Sequence, residues 1–154
     1  MVQRWSWTSA ALGLVVLAAV SAASAQSLPA ACEQGVAELD VSRRYTESII
    51  STTKCIESGV LSQENLAIGY HNRAQAKFHL WWFRLDPNTD EAYGVMESAY
   101  EDVTKAIDLD AGYAKAYCLR GNIEYNLSWG EDGYEDIDKG RSLGMADDDC
   151  YLWD

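Results

Sequence analysis

The sequence of 154 residues is poor in proline, histidine and positive charge. Two prolines and an apolar content of 48% exclude a collagen-like chain and argue against intrinsic disorder. Twelve lysines and arginines stand against 24 aspartates and glutamates, which gives a formal net charge of −12. Because nucleic-acid binding needs clustered cations, this excess of acid argues against a nucleic-acid partner and fits a cationic or neutral one.

The first 25 residues have the pattern of a secretory signal peptide. Arg4 supplies a positive start, an apolar run follows from Ala10 to Ser21, and an Ala-Ser-Ala sequence before Gln26 forms a cleavage site. A retained anchor is the alternative, but the run is shorter than the roughly twenty residues that span a bilayer. We therefore expect a signal peptide at 1–25 and a periplasmic or secreted domain at 26–154, with no membrane span after cleavage.

Four cysteines lie in the expected mature domain: Cys32, Cys55, Cys118 and Cys150. An exported chain enters an oxidising compartment, so we expect disulfides rather than free thiols. Four cysteines allow three connectivities, and separations close to the length of one helical hairpin favour the pairs Cys32–Cys55 and Cys118–Cys150. The lack of a C-x-x-C motif argues against a catalytic dithiol and against a zinc site.

Two stretches of the chain repeat the same order of residues. Each has an aromatic residue, an arginine and a small residue at matching offsets: Tyr70, Arg73 and Ala74, then Tyr117, Arg120 and Gly121. Between them, apolar residues recur with helical spacing: Ala92, Met96, Ala99, Val103, Ala106 and Ile107. The pattern predicts repeated helical units in an all-α fold.

The repeated pattern resembles the tetratricopeptide repeat (TPR), a helix–turn–helix unit of about 34 residues with small residues where its helices meet. Units can be set at 29–62, at 67–113 with an insertion at 81–93, and at 114–147. Their small residues are Val36, Ser48 and Cys55, then Ala74, Ala99 and Ala106, and finally Gly121, Gly133 and Gly140. The resemblance implies a short alpha-alpha superhelix of about three TPR-like hairpins.

The resemblance also implies a binding function, since the first helices of such units line a concave groove that holds a peptide or protein. The side chains implied for this groove are His71, Asn72, Gln75, Phe78, His79, Lys115, Leu119, Asn122, Tyr125 and Asn126. They form a mixed amide and aromatic surface suited to an extended backbone. For each of them, an ordinary exposed helix face is the alternative. We expect a protein–protein interaction module or adaptor.

Other segments allow both a structural and a binding interpretation. Arg73 and Arg120 either pair with acids and stack on tyrosines between helices, or both face the groove. The aromatic run at 81–87 predicts either a longer hairpin whose rings pack together, or one ring exposed as an anchor for a partner. Its proline should end a helix, and one of residues 88–90 should cap the next. The C-terminal tail, tied through Cys150, would either cap the last unit or limit access to the groove.

Residues suited to catalysis are sparse, so we expect no enzyme activity, no cofactor and no metal. His71 and His79 lie two helical turns apart, too far to share a metal without other ligands. The chain has no G-x-S-x-G, phosphate-loop or H-E-x-x-H motif. The alternative is an envelope redox or metal-handling factor, or an enzyme, that uses the cysteines and histidines. Free thiols or bound metal in the purified protein would favour it.

Alkylation of the purified, unreduced protein tests the predicted disulfides. Because an oxidising compartment pairs the cysteines, we expect no reaction with iodoacetamide before reduction and complete reaction after it. Mass spectrometry of the intact protein measures this, and a non-reducing digest reports which cysteines are linked. Four alkylated cysteines before reduction would contradict both pairs.

Overall fold

The computed structural model describes residues 44–127 and 131–150. Within them the chain forms six helices and no strand, which confirms the predicted all-α class. The helices are α1 (Tyr45–Glu57), α2 (Gln63–Arg84), α3 (Asp90–Leu109), α4 (Ala114–Asn126), α5 (Glu131–Ser142) and α6 (Asp147–Cys150). The expected signal peptide and residues 29–43 of the first unit, with Cys32 and Val36, lie outside the described residues.

The helices pack in chain order, each against the next, and α2 also contacts α4. α2 and α3 are antiparallel. Lys77 contacts Ser98, whereas Arg73, one turn earlier on α2, contacts Asp102, one turn later on α3. The glycine contacts between α4 and α5 follow the same antiparallel order. Two antiparallel hairpins, α2–α3 and α4–α5, therefore pack together through α3 and α4, and α1 packs on α2.

Local sequence signals set the ends of the helices. Ser62 and Thr89 precede α2 and α3, and each hydroxyl accepts a hydrogen bond from the backbone N–H three residues further on. α2 ends at Arg84, shortly before Pro87, whose ring disfavours a continuing helix. The predicted helix end at the proline and the predicted cap within 88–90 are both confirmed.

The main core lies where α2, α3 and α4 meet. Its buried members are Ala74, Phe78, Met96, Ala99, Val103, Ala106, Ile107, Ala116, Leu119 and Ile123. The apolar stripe that predicted an amphipathic helix is buried throughout its length on α3. α3 packs against α2 of its own hairpin and against α4 of the next, so its core residues join the two hairpins.

Small residues allow the helices of each hairpin to approach closely. A Cβ atom on Gly133 of α5 would lie 2.7 Å from the carbonyl oxygen of Gly121 on α4, so backbone lies against backbone there. In the first hairpin, Ala74, Ala99 and Ala106 occupy the corresponding places and are fully buried. The repeat pattern therefore predicted the residues at these helix contacts.

The same ion pair crosses both hairpins. Arg73 donates to the two carboxylate oxygens of Asp102 at 2.8 and 2.6 Å, and Arg120 donates to both oxygens of Asp136. Each guanidinium also lies over the tyrosine ring three residues earlier, at 5.4 and 5.6 Å from the centroids. The hydrogen bonds to the aspartates raise the pKa of both arginines above the ordinary value. The structural interpretation of these arginines is confirmed.

The extra residues of the middle unit lengthen its two helices. α2 has 22 residues and α3 has 20, against 13 and 12 in α4 and α5. Trp81 and Trp82 lie with ring centroids 5.7 Å apart, and Phe83 stacks on Tyr45 of α1 at 5.9 Å. The rings therefore pack on one another and on the first unit, as the longer-hairpin interpretation predicts, while Trp82 and Phe83 remain about half exposed.

A disulfide ties the C-terminal helix to the last hairpin. Cys118 and Cys150 are joined, with their Cα atoms 4.9 Å apart, which confirms this predicted pair. Both cysteines are buried in a small core with Ile137. α6 therefore covers apolar surface of the last hairpin, and residues 151–154 of the tail lie outside the described residues. Cys55 is disulfide-bonded as well, and its predicted partner Cys32 lies outside the described residues.

Replacing Gly121 by alanine tests the close approach of α4 and α5. The added Cβ would meet the Gly133 carbonyl oxygen and would lie 2.9 Å from Ile137, so α5 must shift. We expect the free energy of unfolding to fall by about 1–3 kcal/mol, as is typical of overpacking, in urea titrations.

Gly94 is the matched control, since it also lies inside a helix but an added Cβ would meet nothing within 4 Å. We expect Gly94→Ala to raise the free energy of unfolding by about 0.5–1 kcal/mol because alanine favours the helix. Equal changes in the two variants would contradict the role assigned to Gly121.

Candidate binding face

A polar site forms where α2 meets the start of α4. The ring of His71 on α2 lies 5.0 Å from the ring of Tyr113, the residue before α4. Asn72 Oδ1 accepts a hydrogen bond from His71 Nδ1 at 3.2 Å, and Lys115 lies near enough to act on His71 electrostatically. His71 is buried, Asn72 and Tyr113 are half-buried, and Lys115 is exposed. We call these four residues the polar site.

Burial sets the charges of the polar site. It lowers the pKa of His71 from 6.5 to about 4, against the opposing hydrogen bond to Asn72, and the Lys115 ammonium adds to the lowering. Burial also raises the pKa of Tyr113 to about 12, with a further contribution from the negative charge of Asp110. At neutral pH His71 and Tyr113 are therefore uncharged, and Lys115 supplies the positive charge.

The ten residues predicted to line the groove differ in their exposure. Two are exposed, Lys115 and Tyr125, and four are partly buried, Asn72, Gln75, His79 and Asn126. The other four are buried: His71, Phe78, Leu119 and Asn122. The accessible part of this predicted groove is thus smaller and more polar than the sequence predicts.

Phe78 and Leu119 do not line an open groove. They are only 2% and 3% exposed and belong to the main core. The repeat pattern gives their place on the first helices but not the distance between α2 and α4. Because these helices lie in contact with α3 behind them, the two apolar side chains are removed from water, and their prediction as groove residues is wrong.

Asn122 and His71 are also enclosed, each for its own reason. Asn122 is 1% exposed and donates through Nδ2 to the carbonyl oxygens of Cys118 and Cys150, at 2.6 and 2.7 Å. Since the disulfide holds α6 on α4, the Cys150 end of α6 covers this residue. His71 is buried against Tyr113. As direct contacts for a partner, both predictions are wrong.

Tyr113 is the member of the polar site that the groove prediction missed. It lies outside the helix that carries the repeat pattern, in the turn before α4. Its contact with His71 joins two residues far apart in the chain and depends on the packing of α2 beside α4. No periodicity in the sequence marks such a contact.

The two histidines lie in separate surroundings. His79 has the rings of Tyr45 and Phe83 at 5.6 and 6.0 Å, whereas His71 contacts Asn72 and Tyr113. Among residues 44–127 and 131–150, no three His, Cys, Asp or Glu side chains are grouped so that they could hold a metal ion.

The buried His71 predicts a loss of stability in mild acid. The unfolded chain binds a proton at this residue near pH 6.5, but the folded chain does so only near pH 4. Stability therefore falls as the pH decreases from about 6.5 to about 4, by up to about 3 kcal/mol from this residue. Chemical unfolding at a series of pH values measures it.

His71→Gln should remove this share of the pH dependence, because glutamine does not titrate. His79→Gln is the matched control, since it also removes one histidine from α2 but leaves His71 in place. A pH profile of His71→Gln that matches the unsubstituted protein would contradict the assignment.

Comparison with known proteins adds no relative. No protein-family model and no curated protein matches the chain. The helices of the described residues include none that is both long and apolar enough to cross a membrane. The functional assignment of this chain therefore rests on its own residues and their geometry.

Proposed function

We propose that this chain is a short TPR-like interaction module of the periplasm or secreted space, which binds an extended peptide or protein segment on α2 and α4. The proposal involves no reaction. Its support in the fold is the pair of antiparallel hairpins, with small residues at the helix contacts and the same arginine–aspartate pair across each. Repetition of these contacts favours two structurally equivalent units over an unrelated bundle.

The contact between His71 and Tyr113 is the observation that carries the proposal. It places the start of α4 beside α2, so that polar groups of both first helices share one face. These groups belong to Asn72, Gln75 and Lys115, which are exposed or partly so. Side-chain amides both donate to and accept from a peptide backbone, and an ammonium group binds a carboxylate or carbonyl oxygen.

The proposed compartment rests on the disulfide. A bond between Cys118 and Cys150 is stable in an oxidising environment and rare in a reducing cytosol. The bond closes a loop of 32 residues, which in the chain-entropy model stabilises a fold by about 3–4 kcal/mol.

Selection from a phage-displayed peptide library against the purified protein tests the binding function. We expect selected peptides to bind, and Lys115→Ala or Gln75→Ala to weaken binding about tenfold, because a central contact contributes on the order of 1–2 kcal/mol. Isothermal titration calorimetry measures the dissociation constants.

Glu101→Ala on α3 is the matched control, because it also removes one exposed charge but lies on the second helix of its hairpin. We expect it to leave peptide affinity unchanged. Peptides whose affinity depends on Glu101 and not on Lys115 or Gln75 would contradict the proposed face, and the absence of any binding peptide would contradict the function.

A further inference from the structure

Exposed aromatic rings collect at one end of the helical array. Five rings are between 47% and 54% exposed: Trp82, Phe83, Tyr93, Tyr125 and Tyr134. They lie at the C-terminal ends of α2 and α4 and near the N-terminal ends of α3 and α5. The exposed large aliphatic residues, in contrast, lie elsewhere: Ile50, Val60, Ile68 and Leu143. We call the five rings the aromatic edge.

The antiparallel hairpins bring these four helix ends together. In the α2–α3 hairpin, Lys77 contacts Ser98, and Trp82 and Tyr93 lie on the side of this contact that is nearer to the turn between the two helices. In α4–α5 the rings of Tyr125 and Tyr134 meet edge to face, with centroids 6.1 Å apart. Trp81 in the last turn of α2 and Leu127 directly after α4 both pack on the main core that joins the hairpins. The rings of both hairpins therefore lie at the same end of the helical array.

The charges around the aromatic edge are mostly negative. Exposed carboxylates on its segments belong to Asp86, Asp90, Glu91, Glu97 and Glu135. Arg84 is the opposing cation on the described part of these segments, at the end of α2. Exposed lysines lie towards the opposite ends of the helices: Lys54, Lys105, Lys115 and Lys139. The field at the edge therefore attracts positive charge.

The fold already uses cations on tyrosine rings. Arg73 lies 5.4 Å from the ring centroid of Tyr70, and Arg120 lies 5.6 Å from that of Tyr117. Lys139 approaches the Tyr117 ring from α5, at 6.0 Å. A cation over a ring face gains attraction from the ring quadrupole, and a nearby carboxylate adds to it. The aromatic edge offers the same two components at the surface.

We propose that the aromatic edge docks an arginine- or lysine-rich segment of a partner protein, whose cations lie over its rings and between its carboxylates. This surface is separate from the polar site, so the inference goes beyond the proposed peptide-binding face. A neutral oligosaccharide also stacks on aromatic rings, but it would bury carboxylates without a compensating charge. Carboxylates of one sign around the rings favour the cationic segment.

Binding of a hexa-arginine peptide tests the aromatic edge. Substituting two of its tyrosines removes rings without changing the net charge of the protein. The double variant Tyr93→Ser with Tyr134→Ser removes two rings, whereas Tyr93→Phe with Tyr134→Phe keeps them. We expect the serine variant to bind the peptide about tenfold more weakly and the phenylalanine variant to bind as the unsubstituted protein does. Isothermal titration calorimetry at low salt measures the affinity.

Two further variants and one further ligand complete the test. Ile68→Ser and Leu143→Ser remove exposed aliphatic groups away from the edge and should leave the affinity unchanged. Thermal unfolding verifies that every variant is folded. Equal affinity in all variants would show attraction by net charge alone and overturn the proposal, as would binding of chitohexaose in place of hexa-arginine. Lys115→Ala, which tests the peptide-binding face, should not weaken hexa-arginine binding, so the two proposals fail separately.

Discussion

The close contact of α4 with α5 at Gly121 and Gly133 sets the geometry on which the second hairpin depends. Because backbone lies against backbone, no side chain separates the helices there. Arg120, the residue before Gly121, binds Asp136 across the interface. The first hairpin keeps the same ion pair with alanines in place of glycines. The hairpins are therefore built on one plan, and the buried charges are tolerated because each is paired and hydrogen-bonded.

Features that depend on a few neighbouring residues could be predicted from the sequence. The cap at Thr89 and the helix end before Pro87 act within one helical turn, so their signals are local. The buried stripe of α3 follows from its period, and the small residues follow from the need of two helices to approach closely. These signals gave the helical class and the helix contacts without any knowledge of the tertiary arrangement.

The candidate binding face was harder to predict, because a repeat pattern fixes on which side of its own helix a residue lies but not what covers that side. Phe78 and Leu119 are buried by helices from other units, and Asn122 is covered by a tail that begins 25 residues later in the chain. Tyr113 joins the polar site from a turn, where no period applies. Whether a residue on one helix face is buried in the core, covered by α6 or accessible to solvent therefore depends on how the hairpins pack, which the repeat pattern does not specify.

The bond between Cys118 and Cys150 gives the array a fixed end. The last hairpin of a stacked array has an apolar side that would accept another unit, including one from a second copy of the chain. α6 occupies that side around Ile137, and a covalent bond keeps it there. The apolar surface around Ile137 is therefore kept covered by a covalent bond and not only by a packing equilibrium.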